Sequence, residues 1–221
     1  MVTTTAVQVM VTATSNRTSP RVFAAAVFAA AAVSAAVAGC QSSASATGDG
    51  NGKSPAAAVP PVHVLAAESA PAGWHQASLA SGGAVLAYPP AMRPVSGDRG
   101  TASAAQLSSS GKYLMYLNAT PKQGAETLRD WPEFRLEHLT EDDASTARQL
   151  AASHGVRFLG GTGTCVIDAY VTKVKAHHYT ELACFVQGQA SSSVIIAAAP
   201  TASWATASRV LMRAVAAYEV R

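Results

Sequence analysis

The sequence predicts an α+β domain, a mainly antiparallel sheet flanked by two or three helices, behind a disordered N-terminal leader and linker. Three observations point there. Strand-like runs fall in two groups, one before and one after a helical region, without the strict strand–helix alternation that builds parallel sheets. Separate segments carry apolar residues at helical spacing. Every Trp and Tyr lies in 62–221, a stretch of 160 residues, and a chain of that size buries roughly two-thirds of its unfolded surface in one core. The expected organisation is a leader over 1–39, a tether over 40–61 and a single domain over 62–221.

The elements follow in order along the domain. Short strands are predicted at 74–79, at 84–88 where Pro89-Pro90 ends the run, at 102–107, and at 112–118, whose Tyr-Leu-Met-Tyr-Leu core suits a half-buried strand. Leu128, Trp131, Phe134 or Arg135, and Leu139 recur at helical spacing, with Asp130 as cap and Pro132 tolerated in the first turn. Thr140 followed by Asp143 has the form of a capping box and predicts a second helix through Ala144, Ala147 and Leu150 to His154, ended by Gly155. Strands return at 156–159, 165–174, 177–187 and 193–199, the first two separated by a turn at Gly160-Gly161-Thr162-Gly163. Ser203 is the expected N-cap of a last helix with Trp204, Ala207, Leu211, Ala214, Val215 and Tyr218 on one stripe.

Hydrophobic residues make up 49% of the chain and charged residues 13%, against a globular norm of about 25% charged. The excess is alanine. One long apolar run excludes a polytopic channel or transporter. Sixteen basic residues stand against 13 acidic ones, and a leader holding Arg17 and Arg21 would take two of the cations with it, leaving no basic footprint for nucleic acid. That leader places Arg17 and Arg21 before an apolar run from Val22 to Ala38 and then small residues, the pattern of a secretory signal peptide. A retained membrane helix and an ordinary signal peptide with a chance cysteine are the alternatives, and a start at Met10 or later is an alternative to Met1. The separated arginines do not form a twin-arginine signal.

Val37-Ala38-Gly39-Cys40 resembles the lipobox of bacterial lipoproteins. The resemblance implies cleavage between Gly39 and Cys40, lipid on the Cys40 thiol, palmitate-type acylation, and a home on the extracytoplasmic side of the cell membrane. Two or three acyl chains make a lasting anchor where one does not. Residues 41–61 are rich in Ser, Gly, Ala and Pro and read as a flexible coil of about 25 Å mean span. Ala72-Gly73-Trp74, the Ala87-Tyr88-Pro89 strand ending and Glu126-Thr-Leu-Arg-Asp-Trp131 are similar to the PsbP/Mog1-like fold, found in several actinobacterial lipoproteins. That resemblance implies a compact binding or accessory module and names no ligand.

With Cys40 assigned to lipid, Cys165 and Cys184 remain in an exported domain and are expected to be bonded to each other. A hairpin turning at Val174-Lys175 sets Cys165 opposite Cys184, Ile167 opposite Leu182 and Tyr170 opposite Tyr179, but also Asp168 opposite Glu181. A redox pair would need close spacing near a helix start. Asp168, His177 and Glu181 are candidate metal ligands on this hairpin, whereas His178 points to the other face. The plainer reading is a solvated hairpin tip and no metal. No Gly-x-Ser-x-Gly, His-Glu-x-x-His or Ser-x-x-Lys sequence occurs. Gly160, Gly161 and Gly163 lack the Lys-Ser or Lys-Thr of a phosphate loop. Asn118-Ala-Thr120 matches a glycosylation acceptor that a bacterial protein would leave bare. Trp131, Phe134, Trp204 and Tyr218 read as core, or as the walls of a cleft for an apolar ligand. The functional expectation is an exported, lipid-anchored, non-catalytic binding or accessory protein of the cell envelope, without cofactor, whose partners are the membrane through its anchor and an unknown envelope protein or small ligand. A metal-binding protein or enzyme built on 165–187, and a carrier of apolar ligands, are the alternatives.

Overall fold

The computed structural model describes residues 60–63 and 65–221. The leader, most of the tether, Gly39 and Cys40 lie outside the described residues. Ten strands and two helices follow one another as β1 (His75–Ser78), β2 (Ala84–Tyr88), β3 (Arg93–Pro94), β4 (Ala102–Leu107), β5 (Tyr113–Pro121), α1 (Trp131–His138), β6 (Ala144–Phe158), β7 (Gly161–Thr172), β8 (His178–Gly188), β9 (Ser192–Pro200), α2 (Trp204–Ala216) and β10 (Glu219–Val220). The fold is α+β, with every strand pairing within the sheets antiparallel. A seven-stranded sheet runs β3-β4-β5-β9-β8-β7-β6, and β1-β2-β10 form a small second sheet.

The large sheet is covered on both faces, so β8 and β9 are buried along most of their length and do not alternate between buried and exposed residues. On one face α2 lays down Ala207, Leu211, Ala214 and Val215 with Leu86, Leu117, Cys165, Leu182, Cys184 and Ile195. Tyr218, just past the helix, is fully buried there, and its hydroxyl lies 2.8 Å from the Ser193 hydroxyl. The other face carries α1, where Trp131 packs on Val166, Ala183, Phe185 and Val194. Trp131 and Phe134 therefore sit on one face, and Trp204 and Tyr218 on the opposite one.

The helix expected over 140–154 does not form. The chain leaves α1 through a wide π turn at Leu139–Asp143 and becomes β6, the edge strand of the sheet. Instead of capping a new helix, the Thr140 hydroxyl donates back to the carbonyls of Leu136 and Glu137. The helical spacing of Ala144 and Ala147 has another origin: the register shift between Ala144 and Thr146 pairs them with Thr172 and Tyr170, so residues three apart share one face of the strand. In a regular strand an odd spacing alternates faces, but β6 shifts register three times, and the shift between Ser153 and Val156 returns Phe158 to the face of Ala151. Gly155, at φ 67°, serves that bulge rather than a helix end. The bulges, with Arg148 and Arg157 on the strand, also make a poor template for edge-to-edge pairing.

Other elements sit close to expectation. Asp130 occupies the N-cap position of α1 with Pro132 in its first turn. Ser203 occupies the N-cap position of α2, but its hydroxyl donates to the Pro200 carbonyl, because a 3₁₀ turn at Thr201–Ser203 precedes the helix. The predicted strand at 156–159 is the end of β6, and the glycines expected in a turn are already in β7 from Gly161 onward. The two-residue strands β3 and β10 were not foreseen.

Candidate functional site

The β7–β8 hairpin has the register read from its cysteines. Cys165 faces Cys184, Ile167 faces Leu182, Asp168 faces Glu181 and Tyr170 faces Tyr179. The two cysteines form a disulfide with Cα atoms 4.1 Å apart, fully buried on the α2 face. The turn is wider than the two residues expected. The ladder ends at Val171 and His178, and the left-handed backbone needed to reverse the chain falls on Lys175 (φ 64°) and Ala176 (φ 47°). Val174 is 72% exposed at this tip.

Asp168 and Glu181 point to the opposite face, beneath α1. The helix is fixed there by Trp131, whose indole N–H donates to the Ala183 carbonyl at 3.0 Å and whose ring packs against Phe134 and Phe185. Four residues further along, one turn of helix, Arg135 lies over the acidic pair, and its Nε–H donates to Glu181 Oε1 at 2.7 Å. The side chains of Arg135 and Glu181 are 8% and 1% exposed. Burial works against the Arg135 charge, yet the adjoining Glu181 carboxylate outweighs it and holds the guanidinium above its ordinary value. Asp168 has no exposed surface, and neither of its carboxyl oxygens has a hydrogen-bond partner among the described residues. Burial first, then the neighbouring Glu181, push the Asp168 carboxyl up to about 7, with Arg135 offsetting only part of this. The Tyr170 hydroxyl is pushed well above its ordinary range, by burial and then by Glu181. Its ring stacks on Tyr179 at 5.9 Å.

This arrangement brings together two of the three candidate metal ligands and leaves out the third. Asp168 and Glu181 are adjacent and sealed under α1, whereas His177 lies in the exposed turn, its N–H donating to the Thr172 hydroxyl and its ring edge-on to Tyr179. His178 is exposed at the start of β8. Among the described residues no group of three or more metal-ligating side chains is assembled. A guanidinium already pairs with one of the two carboxyl groups, and Arg135 was foreseen only as a possible member of the helical stripe. A charged residue on the buried stripe and two acids opposed across a hairpin were each visible in the sequence, but nothing there joined them.

Chemically, the cluster holds two carboxyl groups and one guanidinium out of reach of solvent. It has no open path by which a substrate would meet both carboxyl groups while α1 is in place.

No protein-family model matches this chain, and no curated protein does. Solved structures similar to it include a cyanobacterial PsbP protein from Synechocystis, at 13% identity over 67% of this chain and 92% of that one, with a TM-score of 0.47. LpqN of Mycobacterium tuberculosis, described as involved in cell envelope biogenesis, is 13% identical over 66% of this chain and 90% of its own, with a TM-score of 0.41. A Pseudomonas aeruginosa protein of unknown function, described as a putative regulator, is 11% identical over 65% and 94%, with a TM-score of 0.39. At these identities and scores the likeness carries no argument about what the chain does.

Proposed function

We propose that the chain is an exported protein, held by lipid on Cys40 at the extracytoplasmic side of a bacterial cell membrane, whose α+β domain binds an envelope component without catalysing a reaction. The observation that carries this reading is the buried Cys165–Cys184 bridge. A disulfide at the centre of a sheet suits an oxidising compartment, and it leaves Cys40, of the three cysteines in the chain, as the one outside the bridge. That remaining cysteine stands where the residues resemble a lipobox. Among the described residues no helix is long and apolar enough to cross a membrane; the assignment of the anchor to lipid rests on the lipobox resemblance of Val37-Ala38-Gly39-Cys40. The non-catalytic part of the reading is supported by the burial of the densest ionisable cluster, Arg135, Asp168 and Glu181, in which Arg135 is taken up by Glu181.

The test is metabolic labelling of the full chain with a palmitate analogue in a bacterial host. The wild type is expected to take up label and sediment with membranes, and Cys40→Ser to take up none and accumulate as a longer precursor. Label on the Cys40→Ser chain, or an unlabelled wild type, overturns the assignment.

A further inference from the structure

Two carboxyl groups face each other on the sheet beneath α1, and one guanidinium is set against them. Glu181 takes the Arg135 hydrogen bond, while Asp168, equally buried, receives none. The groups that face Asp168 are few. From β8 comes Glu181, from α1 Arg135, and from β7 itself Tyr170, whose hydroxyl stays protonated. The β6 partner is the neutral Gln149, and Asp143 of the wide turn acts on Tyr170. His138, in the last turn of α1, stacks on Phe134. Charge balance under the helix is therefore met when Asp168 is neutral, and ionising it leaves a buried carboxylate without a partner, a state proteins avoid by keeping the proton or by letting water in.

We propose that α1 is a proton-held latch: the helix closes on the sheet while Asp168 carries a proton, and loss of that proton favours lifting α1 away so that water reaches both carboxyl groups. The architecture permits this local opening. The helix has eight residues and no backbone place in either sheet, and it is held by side chains: Trp131 and Phe134 on the apolar cluster of Val166, Ala183, Phe185 and Val194, Arg135 on Glu181, and the buried Leu139 just past its end. Lifting it uncovers Val166, Ala183 and Phe185, an apolar floor absent from the closed surface. The direction follows from linkage. The closed form holds the Asp168 proton up to about pH 7, while an exposed aspartate releases it near its ordinary value, about 4. Between these limits the closed form binds more protons than the open one, so opening becomes easier as pH rises, by up to tenfold per unit, and levels off above pH 7.

Amide hydrogen exchange of the full chain, corrected for the intrinsic pH dependence of exchange, reads this directly. Protection across 131–138 is expected to fall steeply from pH 5 to 7 and then flatten, with amides of β8 and β9 protected throughout. Asp168→Asn is expected to make protection of 131–138 independent of pH, and His138→Gln to leave the wild-type profile intact. A flat wild-type profile, an unchanged profile in Asp168→Asn, or a profile lost in His138→Gln overturns the proposal. Should Asp168→Asn not fold, isotope-edited infrared spectra of wild-type aspartate serve instead. A protonated carboxyl band that persists at pH 6 and fades through pH 7 supports the latch, and its absence at pH 6 refutes it.

Discussion

Replacing Arg135 with methionine isolates the energetic role of the buried ion pair. Methionine retains most of the apolar stem that packs under α1, so loss of packing contributes little. The main effect is electrostatic: Glu181, 1% exposed and now lacking a guanidinium 2.7 Å away, becomes a second buried carboxyl group without a partner beside Asp168. Removing one member of such a pair costs about 3–5 kcal/mol, much of it the penalty of stranding the other. For a domain of this size that corresponds to a fall in Tm of about 10 °C. Thermal and denaturant unfolding followed by circular dichroism measure it, with Arg135→Met/Glu181→Gln as the companion. The double variant is expected to recover most of the loss, because the stranded charge is gone. An Arg135→Met chain within 1 kcal/mol of wild type, or a double variant no better than the single, refutes the reasoning.

Three further outcomes follow from the packing. Cys165→Ala/Cys184→Ala is expected to lower unfolding free energy by about 3 kcal/mol in the chain-entropy model for a loop spanning 19 residues in sequence, and denaturant titration without reductant checks it; a loss below 1 kcal/mol counts against a stabilising bridge. At Gly160, φ is 77° and an added Cβ collides with the Val220 carbonyl of β10, so Gly160→Ala is expected to destabilise by about 2 kcal/mol or more, visible as a lowered Tm. In wild type, global stability is expected to be greater at pH 5 than at pH 7, since the raised Asp168 carboxyl binds a proton more tightly folded than unfolded; denaturant midpoints at the two pH values measure it, and Asp168→Asn is expected to flatten the difference.

The hairpin at the centre of the site was legible in the sequence because antiparallel pairing is a rigid rule. Once Cys165 and Cys184 face each other, every other pair along β7 and β8 is set, including the unfavourable Asp168–Glu181 opposition that proves to be the electrostatic centre. Helix α1 was legible from Asp130 and Pro132, and α2 from its apolar stripe. Strand β6 was not, because its bulges convert a two-residue period into spacings that imitate a helix, and tertiary pairing with β7 overrides the helical propensity of its alanines. Strands β3 and β10 hold two residues each, too few to show an alternating pattern, and β10 exists through a partner, β2, distant in sequence. The link between Arg135 and the acids depends on α1 crossing β7 and β8, a relation between segments 46 residues apart that periodicity does not encode.

The most direct test of the central claim is mass spectrometry of the mature protein extracted from the membranes of a bacterial host and digested without reduction. The account predicts an N-terminal peptide that begins at Cys40 and carries diacylglyceryl on its thiol, together with a linked pair of peptides joined through Cys165 and Cys184. A mature chain that retains residues before Cys40, an unmodified Cys40, or free thiols at 165 and 184 would contradict it.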